Sequence, residues 1–234
     1  MKTNQDYKNA ALSALKGNWA PAVLAVVVFC AVELVAIGPA SWQMGRFQTM
    51  AADINPGNPA AMLEMMSGIN QASSWQMLVY VFALFPLIIG LTNAFRALLV
   101  NGDNRVTQNM FQFGFHPYWH KVWGYLLMYI FIVLWSLLLI IPGIVKSLSY
   151  AMTPYILEEN PELSANEAID RSRAMMRGHK YDLLWLYLSF IGWFLLSFLT
   201  LGIGLLWLIP YVETAQAAFY EDVKADYAQN GGLI

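Results

Sequence analysis

Long apolar runs limit what this chain can fold into. About 20 mostly apolar residues in one helix cross the hydrocarbon core of a bilayer. Three runs reach that length, at 20–40, 76–100 and 122–141, and a fourth extends from Leu183 to about Ala218. The fourth is too long for one crossing. Gly202 and Gly204, following Thr200, divide it into 183–201 and 203–220 as a tight hairpin. Only 12% of the residues are charged, against 58% apolar and 15% aromatic, whereas a soluble domain carries about 25% charged residues. Lys2, Lys8 and Lys16 precede the first run as they would in a signal peptide. That run is longer than the usual apolar core of about 7–15 residues, so it reads as a retained span. The single cysteine, Cys30, lies inside it. One cysteine excludes an internal disulfide framework and any multi-cysteine metal site.

The placement of charge sets the expected number of crossings. Cytoplasmic loops are enriched in Lys and Arg. The three N-terminal lysines place the N-terminus inside. The loop at 41–75 carries only Arg46 and suits the outside, while Arg105 and Lys121 bring the next connection inside. Arg171, Arg173, Arg177 and Lys180 place the connection before the fifth span inside as well. The chain therefore has to return across the membrane between Gly143 and Leu157, despite Lys146, Ser147, Ser149, Thr153 and Pro154. The expectation is an all-α polytopic membrane bundle, one domain over 1–234. Its six spans fall at 20–40, 76–100, 122–141, 143–157, 183–201 and 203–220, and both termini are cytoplasmic. Trp42 and Trp75 flank the outer loop, and Trp19, Trp119 and Tyr220 lie near inner ends, as interfacial aromatics do. Within the outer loop, Asn58 and Pro59 can start a short helix that Gly68 stops.

The connections are patterned too. Ser164 and Glu167 form a capping box, and Gly178 supplies a left-handed stop. Between them, over 164–177, Ala165, Ala168, Ile169, Ser172, Met175 and Met176 fall mostly on one face. Arg171, Arg173 and Arg177 lie around the other side, which predicts an amphipathic helix in the cytoplasmic interface. Those arginines and Lys180 are candidates for contact with anionic lipid head groups. Tyr7, Ala11, Leu12 and Leu15 repeat the design before Lys16-Gly17-Asn18, and Val106, Met110 and Phe111 before Gly114 and Pro117 form a fainter copy. The chain thus reads as three units, each an interfacial helix followed by a membrane hairpin.

Four ionisable residues fall in or near spans: Glu33, Arg96, Lys146 and Glu213. A charge at the bilayer centre costs about 2.5–3.5 kcal/mol on insertion scales, so pairing is expected. Depth along the spans suggests Glu33 with Lys146 and Arg96 with Glu213. Pro86, Pro142, Pro154 and Pro210 remove amide donors there and can kink the helices. His116 and His120 are four apart but have no further ligands for zinc. Glu158, Glu159 and Glu162 read as a solvated turn. No phosphate loop, His-Glu-x-x-His or Gly-x-Ser-x-Gly occurs. The expectation is no enzyme, no cofactor, no metal and no nucleic acid.

The second half resembles a family of bacterial integral membrane proteins of unknown function, the domain of unknown function 975. The resemblance rests on Ile141-Pro142-Gly143-Ile144-Val145-Lys146, Pro154-Tyr155-Ile156-Leu157, Asn160-Pro161-Glu162-Leu163-Ser164, Gly178-His179-Lys180 and Leu199-Thr200-Leu201-Gly202-Ile203-Gly204. It runs from about Val133 to Tyr220, and Ala14-Leu15-Lys16-Gly17-Asn18-Trp19 also fits. It implies a bacterial membrane location and supplies no activity.

Two functions follow as expectations. One is a non-enzymatic component of the cell membrane that binds or organises a protein or lipid partner. The other is a small transporter or channel using the intramembrane charges. A polar, water-filled cavity around Glu33 or Glu213 would favour the second; a dry bundle with both carboxylates paired would favour the first.

Overall fold

A computed structural model describes residues 2–35 and 77–230. The expected short helix at 58–68 lies outside these residues. Every regular element described is a helix: α1 (Asn4–Leu15), α2 (Trp19–Val35), α3 (Met77–Asn101), α4 (Val106–Phe115), α5 (Tyr118–Leu138), α6 (Ile140–Tyr150), α7 (Thr153–Glu159), α8 (Ala165–Met175), α9 (Lys180–Leu188), α10 (Ile191–Leu199) and α11 (Leu205–Gln229). Among the described residues three stretches are long and apolar enough to cross a membrane: Met77–Asn101, Tyr118–Leu137 and Lys180–Leu199. The pair α1–α2, bent by 96°, would make a fourth. The expected span at 143–157 falls on two short helices, and all but the first two residues of the one at 203–220 fall within α11, whose second half is charged.

The helix ends follow from local chemistry. Ser164 and Glu167 form the capping box of α8. Thr3 and Asp6 form the same box on α1, which Asp in place of Glu hides from a motif reading. Gly17 (φ 82°) and Gly178 (φ 87°) provide the left-handed turn after each. The two helices thus share cap and stop and differ in length by one residue. Their apolar faces are buried: Tyr7, Ala11 and Leu15 on α1, and Ala165, Ala168, Ile169, Ser172 and Met175 on α8.

Those faces pack on neighbouring helices. α4 lies on α3, α8 on α5 and α7, and α1 on α11. Each amphipathic helix therefore docks on the preceding unit, and the first unit's docks on the last, so three units close on one another. At the α1–α11 joint, Tyr7 meets Phe219 edge-on (centroids 5.4 Å apart), and its hydroxyl donates to Asp222 at 2.7 Å. Within the units the hairpins are tight. A Cβ on Gly204 would lie 2.8 Å from Ser197 Oγ, and one on Gly143 would overlap Ser136 Oγ. Small residues permit such backbone approach in apolar surroundings.

At two of the prolines another element meets the backbone groups that are left free. Pro86 has no amide for the Phe82 carbonyl four residues back. A π-helical turn, Tyr80–Leu84, precedes it, and the Tyr118 hydroxyl donates to Phe82 O at 2.7 Å. Near Pro154 the chain breaks between α6 and α7. There the buried Ser172 hydroxyl of α8 donates to Ser149 O (2.9 Å) and accepts from Met152 N (3.2 Å).

Candidate functional site

Glu213 lies three residues beyond Pro210 in α11. The Thr214 hydroxyl donates to the Pro210 carbonyl at 2.7 Å, and the Thr92 hydroxyl from α3 donates to Glu213 Oε2 at 3.1 Å. Beside the carboxylate is a cavity of about 200 Å³. Its polar lining comes from Thr92 on α3, Tyr125 on α5, Ser147 and Tyr150 on α6, Tyr187 on α9, and Glu213 and Gln216 on α11. All three units thus contribute. Among the described residues Glu213 has no ion-pair partner, and no lysine, arginine or histidine lines the cavity.

A polar seam adjoins the cavity. Asn93 Nδ2 on α3 donates to the carbonyls of Ile89 and Pro154, each at 3.0 Å. Its Oδ1 is buried without a partner, as are Thr153 Oγ1 and the Tyr155 hydroxyl. Buried polar atoms normally find partners, so three orphans along α3 and α7 set this seam apart from an ordinary apolar core. Tyr155 stacks on Tyr220 at 4.4 Å between centroids.

At one end of the bundle the charges gather. Arg96 pairs with Glu159 and, at 2.5 Å, with Glu221. Lys224 reaches Glu159 at 2.5 Å, and the Tyr220 hydroxyl donates to the same carboxylate. Lys121, 0% exposed, pairs with Glu158 and donates to the carbonyls of Phe113 and His116. Burial pushes the Glu158 carboxyl up despite Lys121. Burial pushes Glu159 up as well, but the Lys224 and Tyr220 hydrogen bonds and the Arg96 charge outweigh it, leaving its pKa below the ordinary value.

Three expectations are corrected here. Arg96 does not pair with Glu213: Glu221 lies eight residues further along α11, about 12 Å at 1.5 Å per residue, and it is Glu221 that meets the guanidinium. Glu33 does not pair with Lys146 either. Glu33 accepts from the Tyr80 hydroxyl at 3.4 Å, while the Lys146 ammonium sits over the Trp135 ring, 4.3 Å from its centroid. Glu158 and Glu159 are not a solvated turn, because the surrounding cations draw both into the bundle end. Of the head-group candidates, Arg171 donates to Asn160 at 3.0 Å, Arg173 pairs with Asp170 at 2.6 Å, Arg177 is exposed and Lys180 half-buried.

Fold and site together define an all-helical protein with several helices fit for a membrane and a carboxylate-bearing cavity among them. Residues 137–227 match the family described as "Protein of unknown function (DUF975)". The match covers α6 to nearly the end of α11, running past Tyr220 to Tyr227 and starting after Val133; it leaves out the 14–19 stretch. No curated protein and no solved structure matches the chain.

Proposed function

We propose that this is a six-span protein of a bacterial cytoplasmic membrane that binds a small polar solute at Glu213 and passes it across the bilayer, without catalysing a reaction. The observation that carries the reading is the Glu213 cavity, built by all three units and lacking a cation among its lining residues. A half-buried carboxylate without a counter-charge is costly among apolar helices, and a charged or hydrogen-bonding solute would offset that cost. Six crossings with cytoplasmic termini agree with the lysine and arginine distribution. In that topology the Arg96–Glu159–Glu221 cluster and the three amphipathic helices all lie on the cytoplasmic side. There Arg171, Arg173, Arg177 and Lys180 would face anionic head groups.

The test is movement of solute in vesicles. The purified chain is reconstituted with an internal pH dye and a potential-sensitive dye, and challenged with small amines, amino acids, sugars and inorganic cations. The expected result is a signal above protein-free vesicles for at least one class, abolished in Glu213→Gln. A wild-type response equal to that of protein-free vesicles across the panel refutes the reading and favours a component that organises a protein or lipid partner.

A further inference from the structure

Resting on that reading, we infer that the Glu213 cavity takes a small organic ammonium ion, its charge met by the Glu213 carboxylate and its alkyl part held among Tyr125, Tyr150 and Tyr187. Four properties of the cavity converge on this class. The first is sign: the one charged group in the lining is a carboxylate, so an anion would meet uncompensated repulsion in a low-dielectric site. The second is lining. Three tyrosines from three helices line the cavity together with one carboxylate, and aromatic rings are what recognise organic ammonium groups. The third is size. A water molecule's share of liquid volume is about 30 Å³, so about 200 Å³ accommodates a solute of about seven non-hydrogen atoms, far larger than a bare metal ion.

The fourth is the coordination on offer. Hard divalent cations require about six or more oxygen ligands at close range. Here a single carboxylate is joined only by neutral hydroxyls and the Gln216 amide, and apolar residues such as Ile88 and Met128 share the wall. Mixed walls of that kind suit a solute with a charged head and an apolar stem. The Thr92 hydroxyl, which donates to Oε2, orients the carboxylate and leaves its other oxygen for the ligand. The ammonium group could belong to a free amine or to an ethanolamine lipid head group, since both present the same chemistry.

The experiment measures binding to the full-length protein. Choline, ethanolamine and 3,3-dimethylbutanol, the uncharged carbon analogue of choline, are titrated against thermal stability and by equilibrium dialysis in detergent. Titrations are repeated in nanodiscs with and without phosphatidylethanolamine. The expected result is saturable binding of choline or ethanolamine but not of the carbon analogue. Glu213→Gln weakens it at least about tenfold, Tyr187→Leu about 3- to 30-fold, and Glu221→Gln, outside the cavity, leaves it unchanged. If ethanolamine competes only when the lipid is absent, the head group is the source; if lipid has no effect, the free amine is. Tyr187→Leu keeps the test decisive should Glu213→Gln fail to fold. Equal binding of the carbon analogue, or amine binding indifferent to Tyr187, overturns the ammonium assignment. If amines do not bind while another solute class moves in a Glu213-dependent way, the assignment falls and the transport reading stands; if nothing binds or moves, both fall.

Discussion

Replacing Gly90 with alanine destabilises the protein, whereas the same replacement at Gly192 does not. A methyl at Gly90 would overlap the Met110 carbonyl oxygen and lie 2.8 Å from the Gly114 amide nitrogen. Both are backbone atoms of α4, so no side-chain rotation relieves the clash, and α3 and α4 must part. Overpacking costs about 1–3 kcal/mol, and the backbone contact puts this site at the upper end. Alanine's better helix propensity offsets about 1 kcal/mol, leaving a net loss of about 2 kcal/mol. At about 2–4 °C per kcal/mol for a chain of this size, Tm falls about 4–8 °C. Gly192, inside α10, has nothing within 4 Å of an added methyl, so there propensity alone acts and stability is unchanged or rises by up to about 1 kcal/mol. Thermal unfolding of both variants in the same micelles, followed by circular dichroism, measures the difference. A Gly90→Ala variant that unfolds at or above the wild-type temperature, or equal shifts for the two variants, would refute the helix contact.

Two further outcomes follow from buried polar groups. Ser172→Ala removes both hydrogen bonds that brace the break between α6 and α7, and denaturant titration should show a loss of about 1–3 kcal/mol; no loss would mean the break is held otherwise. Glu159 has a folded pKa below its ordinary 4.5, so its ionised form stabilises the fold above that pH and the contribution is lost as pH falls through the folded value. Glu159→Gln is therefore less stable than wild type at pH 7, and the gap narrows below pH 4.5; a gap that stays constant in pH-resolved unfolding contradicts the Arg96–Lys224–Tyr220 assignment.

The parts of this architecture that local chemistry decides were readable from residues. The Ser164–Glu167 box, the Gly178 stop and the buried face of α8 lie within 15 residues, and each fixes backbone or register by itself. The hairpin at Gly204 was readable because glycine interrupts an otherwise apolar run. Partner choice was not readable. Arg96 could be assigned to a depth, but whether it meets Glu213 or Glu221 depends on how far α3 and α11 slide past one another, which no single segment encodes. Glu158 and Glu159 looked solvated because they precede Pro161 in a polar turn; Lys121, counted only as a loop charge, is what draws Glu158 in. The three-unit closure was half visible. The repeated helix was apparent, while the docking of α1 on α11 joins the two ends of the chain and leaves no local trace. The cavity arises only when six helices assemble, so Tyr125, Tyr150 and Tyr187 carried no signal as a site.

Glu213 lines a cavity that the proposed function requires to be open to small solutes. Cysteine accessibility tests it directly. In a Cys30→Ser background, Gln216→Cys places a thiol at the cavity wall, and Ala215→Cys places one at a neighbouring position that is 0% exposed. In membranes, a small water-soluble thiosulfonate should modify the Gln216→Cys protein rapidly and the Ala215→Cys protein slowly, with Glu213→Gln leaving that contrast intact. Equal rates for both, or no reaction at Gln216→Cys, would mean that the carboxylate sits in a closed core.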